Sequence, residues 1–113
     1  MIFYDFEVFE KDWLAVFIDV TKKKEHVIIN SHDKLKALYE ANRKDIWVGF
    51  NNRHYDQYIM KGILLGMNPK KINDWIIVDN KEGWQYSRAF NKLPMINYDV
   101  MPSNDETIIQ SLI

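Results

Sequence analysis

The first thirty residues alternate short apolar runs with polar turns, a pattern typical of β-strands. Residues 1–9 have two interleaved faces, since successive strand residues point in opposite directions. One face carries Ile2, Tyr4, Phe6 and Val8, and the other carries Phe3, Asp5, Glu7 and Phe9. Residues 13–20 are almost continuously apolar, which is typical of a strand covered on both faces. Residues 26–30 predict a third strand, and the short connections predict an antiparallel meander.

Helical and strand patterns alternate in the middle of the chain. Ser31 and Asp33 are suitable N-caps for a first helix, and Pro69 is suited to the first position of a helix. Gly66 is placed to end the second helix. Residues 46–50 form a short apolar run, which we expect to pair in parallel with an earlier strand. The predicted helices cover residues 34–43, 55–65 and 69–78.

The last third of the chain is polar and turn-rich before a final strand. We interpret residues 79–92 as a loop or irregular hairpin, and residues 95–101 as a fifth strand. A further helix is expected to begin at Ser103 or Asn104. The order β-β-β-α-β-α-α-β predicts an α/β fold, in which a mixed sheet is flanked by helices. A length of 113 residues is typical of one domain, so we expect 1–113 to form a single domain.

Composition excludes several classes of protein. The chain is 47% apolar and 27% charged, and its longest run without a charged residue has eight positions, too few to cross a bilayer. Acidic residues near the N-terminus do not suit a signal peptide, and the chain has no cysteine, so we expect a cytoplasmic protein. Because the net charge is −1, a polyanionic partner would have to be held by a local patch or a bound cation.

Two segments carry candidate chemistry. Asp5 and Glu7 share one face of the first strand, with Cα atoms roughly 6.5 Å apart. A divalent cation would offset their repulsion, whereas the alternative is a strand with two solvated acids. The second segment, residues 49–56, lies at the carboxyl end of the fourth strand, where open sheets bind ligands. Asp56 is there either a third carboxylate of the site or a first-turn acid that suits the helix dipole.

Together these segments resemble the first two motifs of the DEDD 3′–5′ exonuclease superfamily, which is DnaQ-like and has an RNase H-like fold. The first motif, D-x-E, matches Asp5 and Glu7. The second, G-[FWY]-N-x-x-x-[FY]-D, matches at the positions Gly49, Phe50, Asn51, Tyr55 and Asp56. It is most similar to the motif in the proofreading domain of family B DNA polymerases, including those of phages. The resemblance covers roughly residues 1–101 and implies an RNase H-like mixed sheet.

The resemblance implies a two-metal site with Mg²⁺ or Mn²⁺ bound by Asp5, Glu7 and Asp56, and a single-stranded DNA or primer 3′ end as substrate. It also implies that Phe6 and Asn51 contact the substrate, although a loop-capping role for Asn51 is equally open. Arg53 has the chemistry to contact a phosphate. A polymerase module or another replication protein is the implied partner.

The family also has a third motif, Tyr-x-x-x-Asp or His followed by Asp, on a helix after the fifth strand. No segment that follows Asp99 matches it, although Asp99 itself is a possible additional acid. We therefore expect three of four ligands and no general base, in a domain truncated at its C-terminus. Whether the chain is an enzyme stays open. The alternatives are a catalytically incomplete module that binds nucleic acid or a replication protein, and a plain α/β interaction domain.

Other features carry less weight. The lysines at 22–24 have the charge to contact phosphates, but such a turn is usually just solvated. His54 lies near the proposed site, where a loop histidine is more often incidental. Trp75, Trp84 and Tyr86 have the chemistry to stack on bases, and we expect Trp75 to be part of the core or its cover.

Overall fold

Strand β1 (Ile2–Val8) is the centre of the sheet in the computed structural model of the chain, which describes residues 1–100. It pairs antiparallel with β2 (Trp13–Asp19) along its whole length, and β2 pairs antiparallel with β3 (Lys24–Ile29). On its other side β1 pairs in parallel with β4 (Ile46–Gly49), which pairs in parallel with β5 (Ile96–Asp99). The strand order is β3-β2-β1-β4-β5, which confirms the predicted mixed sheet and fits the RNase H-like expectation.

Three α-helices flank the sheet, and the first and third begin next to the predicted signals Ser31 and Pro69. They are α1 (His32–Ala41), α2 (Gln57–Leu64) and α3 (Pro69–Ile77). The hydroxyl of Ser31 accepts the N–H of Lys34 at 3.2 Å, and the side chain of Asn68 accepts the N–H of Lys70 at 2.9 Å. These bonds satisfy N–H groups that the first helical turn leaves without backbone acceptors.

The core lies between one face of the sheet and the helices. The even-numbered residues of β1 and the odd-numbered residues of β2 face this side. Phe17 is fully buried at its centre, in contact distance of the rings of Tyr4, Phe6 and Trp47. The helices close the core with Leu35, Tyr39, Ile59, Met60, Ile63 and Ile72. The two faces of β1 thus separate as the alternation of its residues predicts.

The opposite face of the sheet is apolar but more open to solvent. Val27 and Ile29 on β3, and Ile96 and Tyr98 on β5, are each 47–61% exposed. Between them, the outward residues of β2 are partly buried. Asp5 and Glu7 lie on this same face, both exposed, so the acidic pair stands in apolar surroundings at the edge of solvent.

Two segments differ from the prediction, which began the second helix at residue 55 and gave residues 79–92 as a loop or irregular hairpin. Residues Asn52–Asp56 form one turn of π-helix that leads directly into α2. The segment 79–92 contains two short 3₁₀ helices, Gly83–Gln85 and Arg88–Lys92. The second is fixed by Phe90, which is 3% exposed. Such long-range packing gives a polar, aperiodic segment a regular form that its local pattern does not predict. The helix expected after Pro102 lies outside the described residues.

Within residues 1–100, no helix has the length and apolar character that crossing a membrane requires.

Because the core lies on one face of the sheet, we expect Phe17→Ala to lower the free energy of unfolding by about 3–5 kcal/mol. Ile29→Ala, on the exposed face of the same sheet, should change it by only about 0.5 kcal/mol. Urea denaturation of both variants measures the difference. Equal losses in the two variants would contradict the assignment of the core to the helical side.

Candidate functional site

The candidate site lies where β1 and β4 separate. The two strands pair only at Ile2 with Trp47 and at Phe3 with Val48, and the π-helix follows just beyond. Gly49 lies at this point, and a Cβ atom there would stand 3.0 Å from the carbonyl oxygen of Tyr4. It would also stand 3.2 Å from the Cβ of Asn52. The glycine of the second motif therefore lets the π-helix approach β1 closely.

Asp56 is the last residue of the π-helix and is only 3% exposed. Its Oδ1 accepts the backbone N–H of Phe6 at 3.0 Å, so the carboxylate occupies the place that an adjoining strand would otherwise fill. Phe6 stands between Asp5 and Glu7 in the sequence. The structure thus brings the acid of the second motif to the backbone of the first motif, as expected for a shared site.

The carboxyl groups of this region disfavour one another's ionisation. Burial, opposed by the N–H of Phe6 and helped by the nearby charges of Asp5 and Asp99, raises the pKa of Asp56 to about 7. Burial, and then the charge of Glu7, raise the pKa of Asp5. Burial and the neighbouring charges of Asp56 and Asp5 raise the pKa of Tyr55 to about 12. Negative charge is therefore concentrated here.

Asp99, the possible additional acid, lies at the end of β5 and has a structural partner. Its Oδ1 accepts the backbone N–H of Arg53 at 2.9 Å. Just beyond it, the N–H of Val100 donates to the carbonyl oxygen of Gly49 at 2.9 Å. These bonds tie the end of β5 to the start of the π-helix, so Asp99 helps to hold the loop that carries Asp56.

The residues that the sequence assigns to substrate contact lie in different environments. The side chain of Phe6 is in the core, 4% exposed, so only its backbone N–H reaches the site. Asn51 is exposed and its side chain makes no capping bond to the π-helix, which differs from a loop-capping role there. Arg53 and His54 are exposed on the π-helix. The remaining predicted residues are thus open to solvent, on or just before the π-helix that carries Asp56.

A buried polar network lies next to Asp56, and the sequence does not predict it. Asn52 is fully buried and bonds with the hydroxyl of Tyr4. Its Nδ2 donates to the carbonyl oxygen of Trp47 at 3.0 Å and to Oδ1 of Asn97 at 2.8 Å. Asn51 has the same side chain but is exposed, and nothing local in the sequence distinguishes Asn51 from Asn52. A π-helix is a rare turn that frequently marks functional sites.

The network continues from Asn97 to Gln57 and ends at a buried cation. The amide of Gln57 accepts from Nδ2 of Asn97 at 3.2 Å and from Nζ of Lys61 at 2.9 Å. Lys61 is 9% exposed, and burial lowers its pKa. This network of side-chain hydrogen bonds therefore connects β1, the π-helix, β5 and α2. It holds the π-helix in one position.

The donor types suit a hard divalent cation, because carboxylate oxygens are the ligands that Mg²⁺ and Mn²⁺ prefer. Burial and the repulsion between neighbouring acids raise the pKa values of Asp5 and Asp56, and a bound cation would favour their charged forms. Within residues 1–100, however, no three histidine, aspartate or glutamate side chains are grouped so that they could hold one ion. The chemistry of the donor set fits a metal, and the positions of these side chains would have to adjust around it.

The other residues named from the sequence lie away from this site or in the core. The lysines at 22–24 belong to the β2–β3 turn, at the end of the sheet where Ile2 pairs with Asp19. Trp75 donates its Nε1–H to the carbonyl oxygen of Glu82 at 2.9 Å and packs against Tyr86. This agrees with the expectation that Trp75 is part of the cover of the core.

Comparison with known proteins found no matching protein family, no similar curated protein and no similar solved structure.

The raised pKa of Asp56 predicts a specific dependence of stability on pH. The folded protein keeps this proton up to about pH 7, whereas the unfolded chain loses it near pH 4, so stability should fall as the pH rises between these values. The loss is at most ~4 kcal/mol, at about 1.4 kcal/mol per pKa unit. Asp56→Asn, which keeps an oxygen for the N–H of Phe6, should flatten this slope and be more stable than the wild type at pH 8.

Urea denaturation at a series of pH values measures the slope. Asp79→Asn is the matched control, because Asp79 is exposed after α3 and its variant should keep the slope of the wild type. If Asp56→Asn were as pH-dependent as the wild type, another group would have to be responsible.

The adjacent pair Asn51 and Asn52 tests the polar network. Asn52→Ala should lower the free energy of unfolding by ~2–4 kcal/mol, because it leaves buried partners such as the hydroxyl of Tyr4 without a hydrogen bond. Asn51→Ala, at the exposed neighbour, should cost less than ~0.5 kcal/mol. Thermal and urea denaturation compare them, and similar losses would mean that the network does not stabilise the fold.

Proposed function

We propose that this chain forms part of a metal-dependent 3′–5′ exonuclease domain of the proofreading type, which acts on DNA 3′ ends. The observation that carries the proposal is the hydrogen bond between Asp56 and the backbone of Phe6, because it joins the two acidic motifs. The motifs are 50 residues apart along the chain, and each lies on the element that the family resemblance implies. The strand order supports the same conclusion.

In this proposal Asp5, Glu7 and Asp56 hold Mg²⁺ or Mn²⁺. The bound metal supplies an activated water and stabilises the charge that develops on the scissile phosphate. Asn51, just before the π-helix, and Arg53, on the π-helix, are both exposed. In this proposal they contact the DNA strand that carries the 3′ end. Asp99 and Asn52 position the π-helix through the N–H of Arg53 and the buried network.

A domain of this type edits DNA during replication, so its partner would be a polymerase module or another replication protein, as in a phage-type DNA polymerase. The proposed location is accordingly the cytoplasm, where a phage-type DNA polymerase replicates its DNA.

One observation favours an alternative function. Asp56 and Asp99 each accept a backbone N–H, so both carboxylates already have a structural role that needs no metal. A catalytically incomplete module with this fold would bind nucleic acid or a replication protein without cleaving DNA. The dependence of activity on metal and on Asp5 separates the two functions.

The direct test is degradation of a 5′-labelled single-stranded DNA oligonucleotide in the presence of Mn²⁺. We expect the wild type to produce a ladder of products that shorten one nucleotide at a time. Asp5→Asn and Asp56→Asn should each reduce the rate at least ~100-fold, because each removes a charge that the metal needs. Glu10→Gln, an exposed acid beyond the end of β1, is the matched control and should leave the rate unchanged.

The melting temperature with and without Mn²⁺ gives a second readout that requires no catalysis. A bound metal should raise the melting temperature of the wild type but not that of an Asp5→Asn, Glu7→Gln double variant. DNA binding without a ladder, and a melting temperature independent of metal, would contradict the exonuclease and support the binding module.

A further inference from the structure

The four tryptophans differ sharply in exposure. Trp47 is fully buried, Trp13 is 8% exposed, and Trp75 is held by its bond to the carbonyl oxygen of Glu82. Trp84, by contrast, is 60% exposed, although indole is among the most apolar of side chains. An indole held in solvent on a folded surface is a candidate contact for a partner.

Trp84 is held on a support that packs against α2, the helix that follows the π-helix. It follows Gly83, which is buried and packs so closely on the ring of Tyr58 that a Cβ atom there would stand 2.2 Å from Cδ2 of the ring. The N–H of Tyr86 also donates to the carbonyl oxygen of Gly83 at 3.1 Å. Tyr58 lies in the first turn of α2, two residues after Asp56. The indole is thus fixed beside the helix that follows the π-helix.

The surroundings of Trp84 are polar and cationic. Lys81 and Arg88 are exposed on either side of it along the chain, and the Nζ atom of Lys81 lies 4.1 Å from the centre of the Trp75 ring. Arg53 is exposed on the π-helix. Glu82 is an acid of this surface; burial and the charge of Glu82 raise the pKa of Tyr58, and Arg53 lowers it. Three cations and one anion give this surface a net charge of +2 in a chain whose total is −1.

We propose that Trp84 stacks on a base of the single-stranded DNA whose 3′ end enters the candidate site, while Lys81, Arg88 and Arg53 contact its phosphates. The direction of the DNA strand in this inference rests on the proposed exonuclease function. An aromatic side chain beside cations is the arrangement with which proteins bind single strands regardless of sequence. A protein partner would be expected to use a wider apolar patch, whereas Trp84 lies between Gly83 and the exposed, polar Gln85 along the chain.

The test compares two oligonucleotides with the same phosphates, oligo(dT) of twelve nucleotides and its abasic analogue, in EDTA so that no cleavage occurs. Fluorescence anisotropy should show that the wild type binds oligo(dT) about tenfold more tightly than the abasic strand, as expected for one stacked base. Binding of oligo(dT) should also quench the tryptophan fluorescence of the wild type.

Trp84→Ala should bind both strands equally, at the affinity of the wild type for the abasic strand, and should lose the quenching. Trp75→Phe is the matched control, because it alters a tryptophan of the same surface that is covered, and it should keep both the preference and the quenching. Circular dichroism confirms that each variant is folded.

The outcomes separate this inference from the exonuclease proposal. A wild type that prefers oligo(dT) through Trp84 but never cleaves DNA would retain the stacking site and overturn the exonuclease. A wild type that binds the two strands equally, or a Trp84→Ala variant that keeps the preference, would overturn the stacking site. A wild type that binds neither strand would also overturn it and assign the exposed indole to a protein partner.

Discussion

The hydrogen bond from the backbone N–H of Phe6 to Asp56 determines the arrangement of this end of the sheet. Since β1 and β4 pair over two residues only, the backbone of β1 beyond Phe3 needs another acceptor on that side, and an unpaired buried N–H is costly. Because the acceptor is the carboxylate of Asp56 and not the backbone of a neighbouring strand, a buried acid lies next to Asp5. The close approach at Gly49, the π-helix and the network around Asn52 are all conditions for this one contact.

Much of the fold follows from local patterns in the sequence. The alternation of residues in β1 separates core side chains from Asp5 and Glu7, and the capping residues Ser31 and Asn68 mark the starts of α1 and α3 correctly. The parallel pairing of β4 with β1 follows from the helix between the meander and β4, since such crossovers return the chain in the same direction. Periodicity and capping are sufficient for these features because each is determined by neighbouring residues.

The details of the site depend on contacts between distant residues. Asn51 and Asn52 are the same residue type, yet one is exposed and the other is the centre of a buried network, because Tyr4 and Asn97 meet only the second. The same applies to the turn at Gly83, which needs the ring of Tyr58 from another helix. Sequence motifs predict Asp5 and Asp56 as candidate acids, but they do not predict the side chains that hold the π-helix in position.

The strand β5 makes the site easier to open locally than the core. Within residues 1–100 it pairs with β4 alone, and its residues are all at least partly exposed, yet it carries both Asn97 and Asp99. Strands with so few buried contacts open more readily than the rest of a fold. A single local opening of β5 would release Asp99 from Arg53 and Asn97 from Asn52 while the centre of the sheet stays intact. Such an opening would separate assembly of the site from folding of the core, and a ligand that binds there would also hold β5 in place.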